Sequence, residues 1–324
     1  DSKIPFLKGA FENAGVKVDY LDPAKIVRER LLDADALIIR TRTKCDRKLL
    51  EGTNVKFIAT ATIGFDHIDT EYCDGNGIRW TNAPGCNSGS VAQYICSALL
   101  NWAHANKKEL DCLKIGIIGV GNVGSKVAKI AEILGMKTLL NDPPRGRREG
   151  SELFLPLGGV LEEADIITMH VPLQYEMADK TYHMADDKFF NEIRKKVLFI
   201  NTSRGEVVNS ASLKRALKNG KLSDVILDVW ENEPDIDMEL MRVAKFATPH
   251  IAGYSTDGKA NGTAMSVRAL SEFFDLRLDD WYPTLIPEPQ NKSYAPEGSD
   301  IEAILSAVNF SYDIRNDDRT LRNF

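Results

Sequence analysis

The chain has 324 residues, more than one ordinary domain needs, and its 43% hydrophobic and 27% charged content is that of a folded globular protein with a sizeable core. A net charge of -6 excludes global attraction to nucleic acid, although local cation clusters can still collect anions. No apolar run reaches the length of a membrane span and no signal peptide is visible. Cys45, Cys73, Cys86, Cys96 and Cys112 are odd in number and lack paired spacing, which favours reduced thiols in a cytoplasm over a disulfide or zinc framework, and no metal site is expected. Cys86, the one cysteine near candidate chemistry, reads as a small packed side chain.

Residues 5–14 read as a short helix ending near Gly15, and residues 16–21 as a strand. The numbering opens at Asp1 just ahead of that helix, so a preceding strand is expected to lie outside it. Residues 34–39 and 55–61 read as further strands, alternating with loop or helical sequence as in an α/β domain. Arg40-Thr41-Arg42-Thr43-Lys44 follows the first of these. In extended backbone Arg40, Arg42 and Lys44 share one face and concentrate positive charge for an anionic group, and a solvated strand end is the equal alternative. Residues 59–67 put small residues and Gly64 at a strand end, where backbone amides can receive a carboxylate. A turn over 82–87 precedes a long helix over 90–106, and a domain boundary is expected near its start.

The most informative stretch is residues 113–124, Leu-Lys-Ile-Gly-Ile-Ile-Gly-Val-Gly-Asn-Val-Gly. The apolar run 115–118 stops at Gly119-Val120-Gly121-Asn122-Val123-Gly124, and Val127, Ile130, Ala131 and Leu134 then recur at helical spacing. Strand, tight turn and helix in that order place a dinucleotide pyrophosphate at the positive end of a helix. Gly119 permits the turn, Gly121 lets backbone approach the phosphates, and Gly124 lets the helix pack close. Gly135 is placed to end the helix, residues 137–141 read as the next strand, and Asp142 ends it roughly 20 residues past the first glycine, where a carboxylate can hold an adenosine ribose. Residues 143–150 read as a loop. Its Arg145, Arg147 and Arg148 raise the question of a 2′-phosphate, but Asp142 would repel one, so NAD is favoured over NADP.

Residues 164–169, 196–201, 224–227 and 245–248 read as strands of a mostly parallel sheet. In such a sheet ligands sit beyond the carboxyl ends of the strands. Arg204, Asp228 and His250 each follow a strand, and Glu233 comes shortly after Asp228, so four ionisable groups converge. Oxidising a secondary alcohol by hydride transfer needs a base for the hydroxyl proton, which fits His250; Glu233 can orient that imidazole and raise its pKa, and Arg204 can grip a carboxylate bidentately. His104 lies in a helical run, His183 in a polar loop and His67 beside Asp66, while His170 ends a strand where packing against an adenine and chemistry are equally served. Beyond the Pro-marked linker from Pro283 to Pro296, Ser299 and Glu302 have capping-box spacing ahead of a small third element that Phe324 cuts short.

The run 119–124, Asn201-Thr202-Ser203-Arg204-Gly205, residues 227–234 and Thr248-Pro249-His250-Ile251-Ala252-Gly253 together resemble the D-isomer-specific 2-hydroxy acid dehydrogenase family. A narrower likeness, to members acting on a phosphorylated acid, rests on residues 59–67, 83–87, 141–145, 250–254 with 258–260, and the tail 312–318. The resemblance implies an α/β protein: a Rossmann-type parallel-sheet NAD domain over 90–261, a flavodoxin-like substrate (lid) domain over 1–89 and 262–282, and the truncated start of a C-terminal dimerisation domain over 283–324. It implies an oxidoreductase that uses NAD on a small phosphorylated 2-hydroxy acid and assembles as a cytoplasmic homodimer, with neither nucleic acid nor membrane as partner. Arg204, Glu233 and His250 match catalytic positions. Asp142, Val171, Thr202, Ser203, Arg204, Asp228 and Gly253 join Gly119, Gly121, Asn122, Val123 and Gly124 as cofactor positions, Asp228 being expected to orient the nicotinamide amide. Thr41, Thr62 and Tyr254 match substrate positions, beside the cations Arg40, Arg42 and Lys44. Two departures stand out: Gln93 replaces a frequent glutamate, which touches packing more than chemistry, and Val171 replaces a commoner threonine, so its contact is backbone or apolar. A relative acting on 3-phosphoglycerate or glyoxylate, and an NAD-sensing regulator of the same fold, are the alternatives.

Overall fold

The computed structural model describes residues 1–324 apart from Asn13, Met177, Gln290, Glu297 and Ser299, so the capping-box expectation at Ser299 lies outside the described residues. The chain divides into two compact units, residues 1–87 with 254–292, and residues 88–253 with 293–324. The first division, at 87/88, lies two residues from the expected 89/90, and the second, at 253/254, lies eight residues before the expected 261/262. A larger difference concerns the tail: residues 293–324 group with the second unit and not as a body of their own. The cause is direct bonding to that unit. Asn101 Nδ2 donates to Asn309 Oδ1 at 2.7 Å, Gln93 Nε2 to Ser311 Oγ at 2.5 Å, and the Ala247 amide to Asp318 Oδ1 at 2.7 Å, while Ile314 is fully buried in the core.

In the first unit β1 (Ala36–Ile39), β2 (Phe57–Thr60) and β3 (Arg79–Thr81) form a parallel sheet, with the helix Thr256–Phe274 packed beside β2. The described residues of 5–14 form a series of turns and not the expected helix, because Phe6 (φ +63) and Gly9 (φ +88) leave the helical region. Ile4, Leu7, Ala10 and Phe11 still bury themselves against Phe57 and Val267. Residues 16–21 join no described ladder, although Val16 and Val18 pack on the same cluster. Residues 40–44 are also not extended: the Thr43 amide closes a turn on the Arg40 carbonyl at 3.1 Å, so Arg40, Arg42 and Lys44 lose the shared face that alternation would give them.

The second unit carries a fully parallel sheet in the order β5-β4-β6-β7-β8-β9, from β4 (Lys114–Ile118), β5 (Lys137–Asn141), β6 (Ile166–Met169), β7 (Val197–Asn201), β8 (Leu222–Leu227) and β9 (Phe246–Ala247). Alternate residues of each strand enter two cores. Ile115, Ile117, Leu198, Ile200 and Ile226 face the long helix Ser88–Asn106, while Ile118, Ile167, Phe199, Val225 and Leu227 face the opposite layer with Phe189, Phe190 and Leu161. Such two-sided burial explains why these strands read as unbroken apolar runs. The order turns back at β4, making its carboxyl end the switch point of the sheet. Residues 143–150, expected as a loop, hold a helix over Pro143–Glu149: the Asp142 side chain caps it by accepting the Arg145 amide at 2.9 Å, proline occupies the first turn, and Arg145 pairs with Glu149.

Candidate active site

Register places the candidate residues in one row. Asn141 pairs with Ile118, Ile118 with Met169, Met169 with Asn201, Asn201 with Leu227 and Leu227 with Ala247, so the last residues of all six strands are level across the sheet. The residues that follow, Asp142, Gly119, His170, Thr202, Asp228 and Thr248, therefore line a single carboxyl edge, with neighbouring strands about 4.8 Å apart. Convergence of side chains from distant sequence positions is a consequence of this register.

At the switch point the chain leaves β4 through Gly119, whose φ of +86 suits glycine, and a Cβ there would lie 2.6 Å from the His170 carbonyl oxygen. Val171 lies beside the same turn. A Cβ at Gly124, the first residue of the helix Gly124–Ile133, would come within 2.0 Å of the Gly119 oxygen, whereas nothing lies within 4 Å of one at Gly121. The turn is thus closed on its inner side and open at Gly121, as a cradle for a pyrophosphate must be. The amides of Gly121, Asn122 and Val123 donate to no backbone carbonyl among the described residues. Asp142 stands against this turn, taking the Val120 amide on Oδ2 at 2.8 Å. The three arginines raised as possible 2′-phosphate ligands are engaged elsewhere: Arg145 with Glu149 and the Val120 carbonyl, Arg147 with Asp179, Arg148 with Glu149.

Further along the row, Asn201 shapes the turn after β7. Its Oδ1 accepts the Ser203 amide at 3.0 Å and the Ser203 hydroxyl at 2.8 Å, and its Nδ2 donates to the Arg204 carbonyl at 2.9 Å. Thr202 lies 3.3 Å from His170 Nδ1, and burial pushes that imidazole down to about 3, so His170 is neutral and no proton carrier near pH 7. Arg204 donates through Nη1 to the Ser203 carbonyl at 2.8 Å, and no carboxylate of the described residues forms an ion pair with it.

His250 is held by two neighbours, Glu233 and Asp228. Its Nδ1 lies 2.8 Å from Glu233 Oε2, and Glu233 Oε1 accepts the Trp230 amide at 2.8 Å. The hydrogen bond that His250 makes to Glu233 pushes its pKa up, against a downward push from burial, and the charges of Glu233 and Asp228 add to the rise while Arg204 opposes it. Burial pushes the Glu233 carboxyl up, but the bond and charge of His250, the Trp230 amide and Arg204 together hold it below the usual carboxylate range. Arg204 acts on both members of the pair. Asp228, 1% exposed, accepts Thr248 Oγ1 at 2.6 Å and the Ile251 and Ala252 amides at 2.8 and 2.9 Å, and its carbonyl accepts the His250 amide at 2.7 Å. These bonds secure His250 at φ +58, a left-handed conformation that costs a non-glycine residue about 1–2 kcal/mol. Gly253 ends the same segment.

The candidate substrate residues of the first unit have their own local setting. Thr62 Oγ1 donates to the Gly64 carbonyl at 2.9 Å and lies 2.7 Å from Thr60 Oγ1, while Thr41, Arg42 and Lys44 are exposed. Lys259 Nζ stands 3.3 Å from the ring centroid of the exposed Tyr254; its hydrogen bond and charge, aided by Arg40, push the phenol down. Sequence reasoning did not assign roles to the Trp230 amide, Thr248, Asn201 or Tyr94. Thr248 and Asn201 sit inside the strand-end motifs and could have been found there; Tyr94 carries no local signal.

Residues 96–252 match the family described as D-isomer specific 2-hydroxyacid dehydrogenase, NAD binding domain. The chain is 56% identical over 292 residues, 90% of its length and 83% of the relative's, to erythronate-4-phosphate dehydrogenase of Bacteroides fragilis, and 40% identical over 324 residues, 100% and 86%, to that of Yersinia pestis. Among solved structures, D-lactate dehydrogenase of Aquifex aeolicus complexed with NAD and lactic acid superposes with a TM-score of 0.68 at 29% identity, covering 85% of this chain and 93% of that one. The NAD+-bound 3-phosphoglycerate dehydrogenase of Entamoeba histolytica gives 0.69 at 28% identity, covering 83% and 90%. The chain belongs to the D-isomer-specific 2-hydroxyacid dehydrogenases and, within them, to the erythronate-4-phosphate dehydrogenase family. Its cofactor is NAD, and no described helix is long and apolar enough to cross a membrane.

Proposed function

We propose that the protein oxidises 4-phospho-D-erythronate to 2-oxo-3-hydroxy-4-phosphobutanoate with NAD, a step of pyridoxal 5′-phosphate biosynthesis, as a cytoplasmic homodimer. The Glu233–His250 pair beside Arg204 carries this reading, because it supplies an oriented base and an anion clamp at one sheet edge. Since Nδ1 faces a carboxylate, which only accepts, Nδ1 carries the ring proton and Nε2 presents the lone pair that takes the substrate hydroxyl proton. Arg204 binds the substrate carboxylate and polarises the neighbouring oxygen. Gly119, Gly121, Asn122, Val123, Gly124 and Asp142 hold the adenosine and pyrophosphate half of NAD, and Val171, Thr202, Ser203, Asp228 and Gly253 line the remainder. Bound NAD supplies the acceptor for the hydride that leaves the carbinol carbon. From the first unit, Arg40, Thr41, Arg42, Lys44, Thr62 and Tyr254 are the proposed substrate contacts, with a cation of 40–44 meeting the phosphate.

The test is turnover of purified protein with NAD on 4-phospho-D-erythronate, 3-phosphoglycerate and glycolate, together with His250→Asn. The phosphorylated C4 acid is expected to give the highest kcat/KM, and the variant to lose at least about a hundredfold in kcat while still binding NADH. Preference for another acid overturns the substrate, and an active His250→Asn protein overturns the base.

A further inference from the structure

The turn that carries His250 rests on a column of buried hydroxyl groups that the chemistry above does not use. Tyr94, on the long helix Ser88–Asn106, is 1% exposed, and its phenol lies 2.7 Å from Thr248 Oγ1. Thr248, itself fully buried, donates to Asp228 Oδ1 at 2.6 Å. A hydroxyl has one proton, so with that of Thr248 committed to Asp228 the donor between the two hydroxyls is Tyr94. The chain of donation therefore runs Tyr94 to Thr248 to Asp228. Burial pushes the phenol well up, and the charges of Asp228, Tyr312 and Asp318 add to the rise, so Tyr94 keeps its proton.

We infer that Tyr94 and Thr248 are positioning residues for the dehydrogenase reaction: their hydroxyls fix the Asp228 carboxylate beneath the 248–252 turn, and through it the direction in which the His250 imidazole faces Glu233. The inference rests on the reading of His250 as the base. The carboxylate that the column ends on accepts the Ile251 and Ala252 amides, and the Asp228 carbonyl accepts that of His250, so three consecutive amides of the turn hang from one residue. Burial pushes the Asp228 carboxyl up, and the Thr248 hydroxyl is the strongest group opposing this, ahead of the two amides and the His250 charge. Without that hydroxyl Asp228 takes up a proton more readily and the turn loses an acceptor. Of the charged groups facing His250, Glu233 and Asp228 strengthen the base and Arg204 weakens it, so losing the Asp228 charge weakens the base. The Thr248 backbone has a separate anchor, its carbonyl accepting Trp230 Nε1 at 2.9 Å, so exchanging the hydroxyl for a methyl leaves the β9 end attached.

The experiment compares Thr248→Val, Thr248→Ser and Tyr94→Phe in the full chain, reading kcat, the pH profile of kcat/KM, NADH affinity, and the titration of His250 by NMR of ring-labelled histidine. With five histidines in the chain, the His250 signal is assigned by its loss in His250→Asn. Thr248→Val is expected to lower the His250 midpoint by about half a pH unit or more, to move the acid limb of the profile with it, and to cut kcat about tenfold. Thr248→Ser, which restores the hydroxyl, is expected to stay within about threefold of the parent, and Tyr94→Phe to fall between the two. A His250 midpoint and kcat in Thr248→Val equal to the parent's overturn the inference, as does a serine variant no better than valine, which would assign the effect to shape. Should the valine variant not fold, parental values in Tyr94→Phe overturn the column. The NMR midpoint needs no turnover, so a shift in Thr248→Val alongside an active His250→Asn enzyme would remove the base assignment while leaving the hydroxyl column standing.

Discussion

Glu233 Oε2 lies 2.8 Å from His250 Nδ1, and this contact decides which ring nitrogen is left free for the proposed proton transfer. Each group also sets the other's charge. The imidazole is raised by its bond to Glu233, and the carboxyl, pushed up by burial, is held low by His250 in spite of it. Both are charged between the lowered carboxyl pKa and the raised imidazole pKa. The carboxyl contributes stability above its ordinary 4.5 that is lost as pH falls through the lowered native value. The imidazole contributes stability below its ordinary 6.5 that is lost as pH rises through the raised native value. With His250 as the proposed base, oxidation needs its imidazole neutral. Glu233→Gln therefore moves the acid limb of kcat/KM for oxidation to lower pH and slows the reverse reduction near pH 7, which needs the imidazolium. A limb that stays in place in a pH–rate profile removes Glu233 from this role.

Asp142 serves the glycine turn and the following helix at once, accepting the Val120 amide with one oxygen and the Arg145 amide with the other. Replacing it by alanine removes a helix cap worth about 0.5–2 kcal/mol and the carboxylate proposed to hold the ribose, a bond worth about 1.5–3 kcal/mol. NADH titration by fluorescence should show about tenfold or more weaker binding, and a higher ratio of NADP to NAD affinity because a repelling charge is gone. Unchanged affinity for both cofactors would remove Asp142 from the ribose.

Much of the second unit could be read from the sequence because each strand ends in a short polar motif, and register then forces those motifs into one row. The gathering of Arg204, Asp228, Glu233 and His250 near one edge is legible for that reason. The link from Tyr94 to Thr248 was not, since the two are 154 positions apart and a buried tyrosine on an apolar helix face resembles any other core residue. Residues 5–14 misled because apolar spacing outweighed the positive φ at Phe6 and Gly9, and the helix at Pro143–Glu149 was hidden behind prolines that occupy its first turn. At 40–44 the charge alternation suggests that the strand continues past the end of β1, where the backbone turns instead.

Gly124 leaves no room for a side chain. A Cβ would come within 2.0 Å of the Gly119 oxygen, which belongs to the backbone of the turn and has no rotamer to move into. Gly124→Ala is expected to cost about 1–3 kcal/mol or more, seen as a lower Tm, and to weaken NADH binding by displacing the amides around Gly121. A variant with parental Tm and NADH affinity would show that the helix and turn separate without cost.

Arg42 is exposed in the turn after β1, and Arg40 acts electrostatically on Tyr254. With a cation of this segment meeting the distal phosphate, Arg42→Ala and Arg40→Ala separate the candidates. The one that binds phosphate should raise KM for the phosphorylated acid about tenfold, leave kcat nearly unchanged, and leave KM for an unphosphorylated 2-hydroxy acid untouched. Parental KM values in both variants place the phosphate elsewhere.

The tail of the chain reaches the edge that carries His250 through the shortest strand. β9 has two described residues, and Ala247, the second of them, donates its amide to Asp318 Oδ1 at 2.7 Å. Arg322 braces that carboxylate through Nε at 2.9 and 3.0 Å and donates to the Met241 and Ala244 carbonyls at 2.8 and 2.7 Å, on the segment leading into β9. The carboxylate thus holds the strand from its free edge while β8 holds the other side. His250 lies three residues beyond Ala247, so slack in β9 becomes misdirection of the imidazole. Arg322→Ala removes several charge-assisted bonds, each worth about 1.5–3 kcal/mol when both partners are shielded, and leaves Asp318 without its cation. It is expected to lower Tm and to reduce kcat more than it weakens NADH binding, because the glycine turn stands at the far end of the row. Equal losses in kcat and NADH affinity would mean that the tail supports the whole sheet and has no particular hold on its catalytic end.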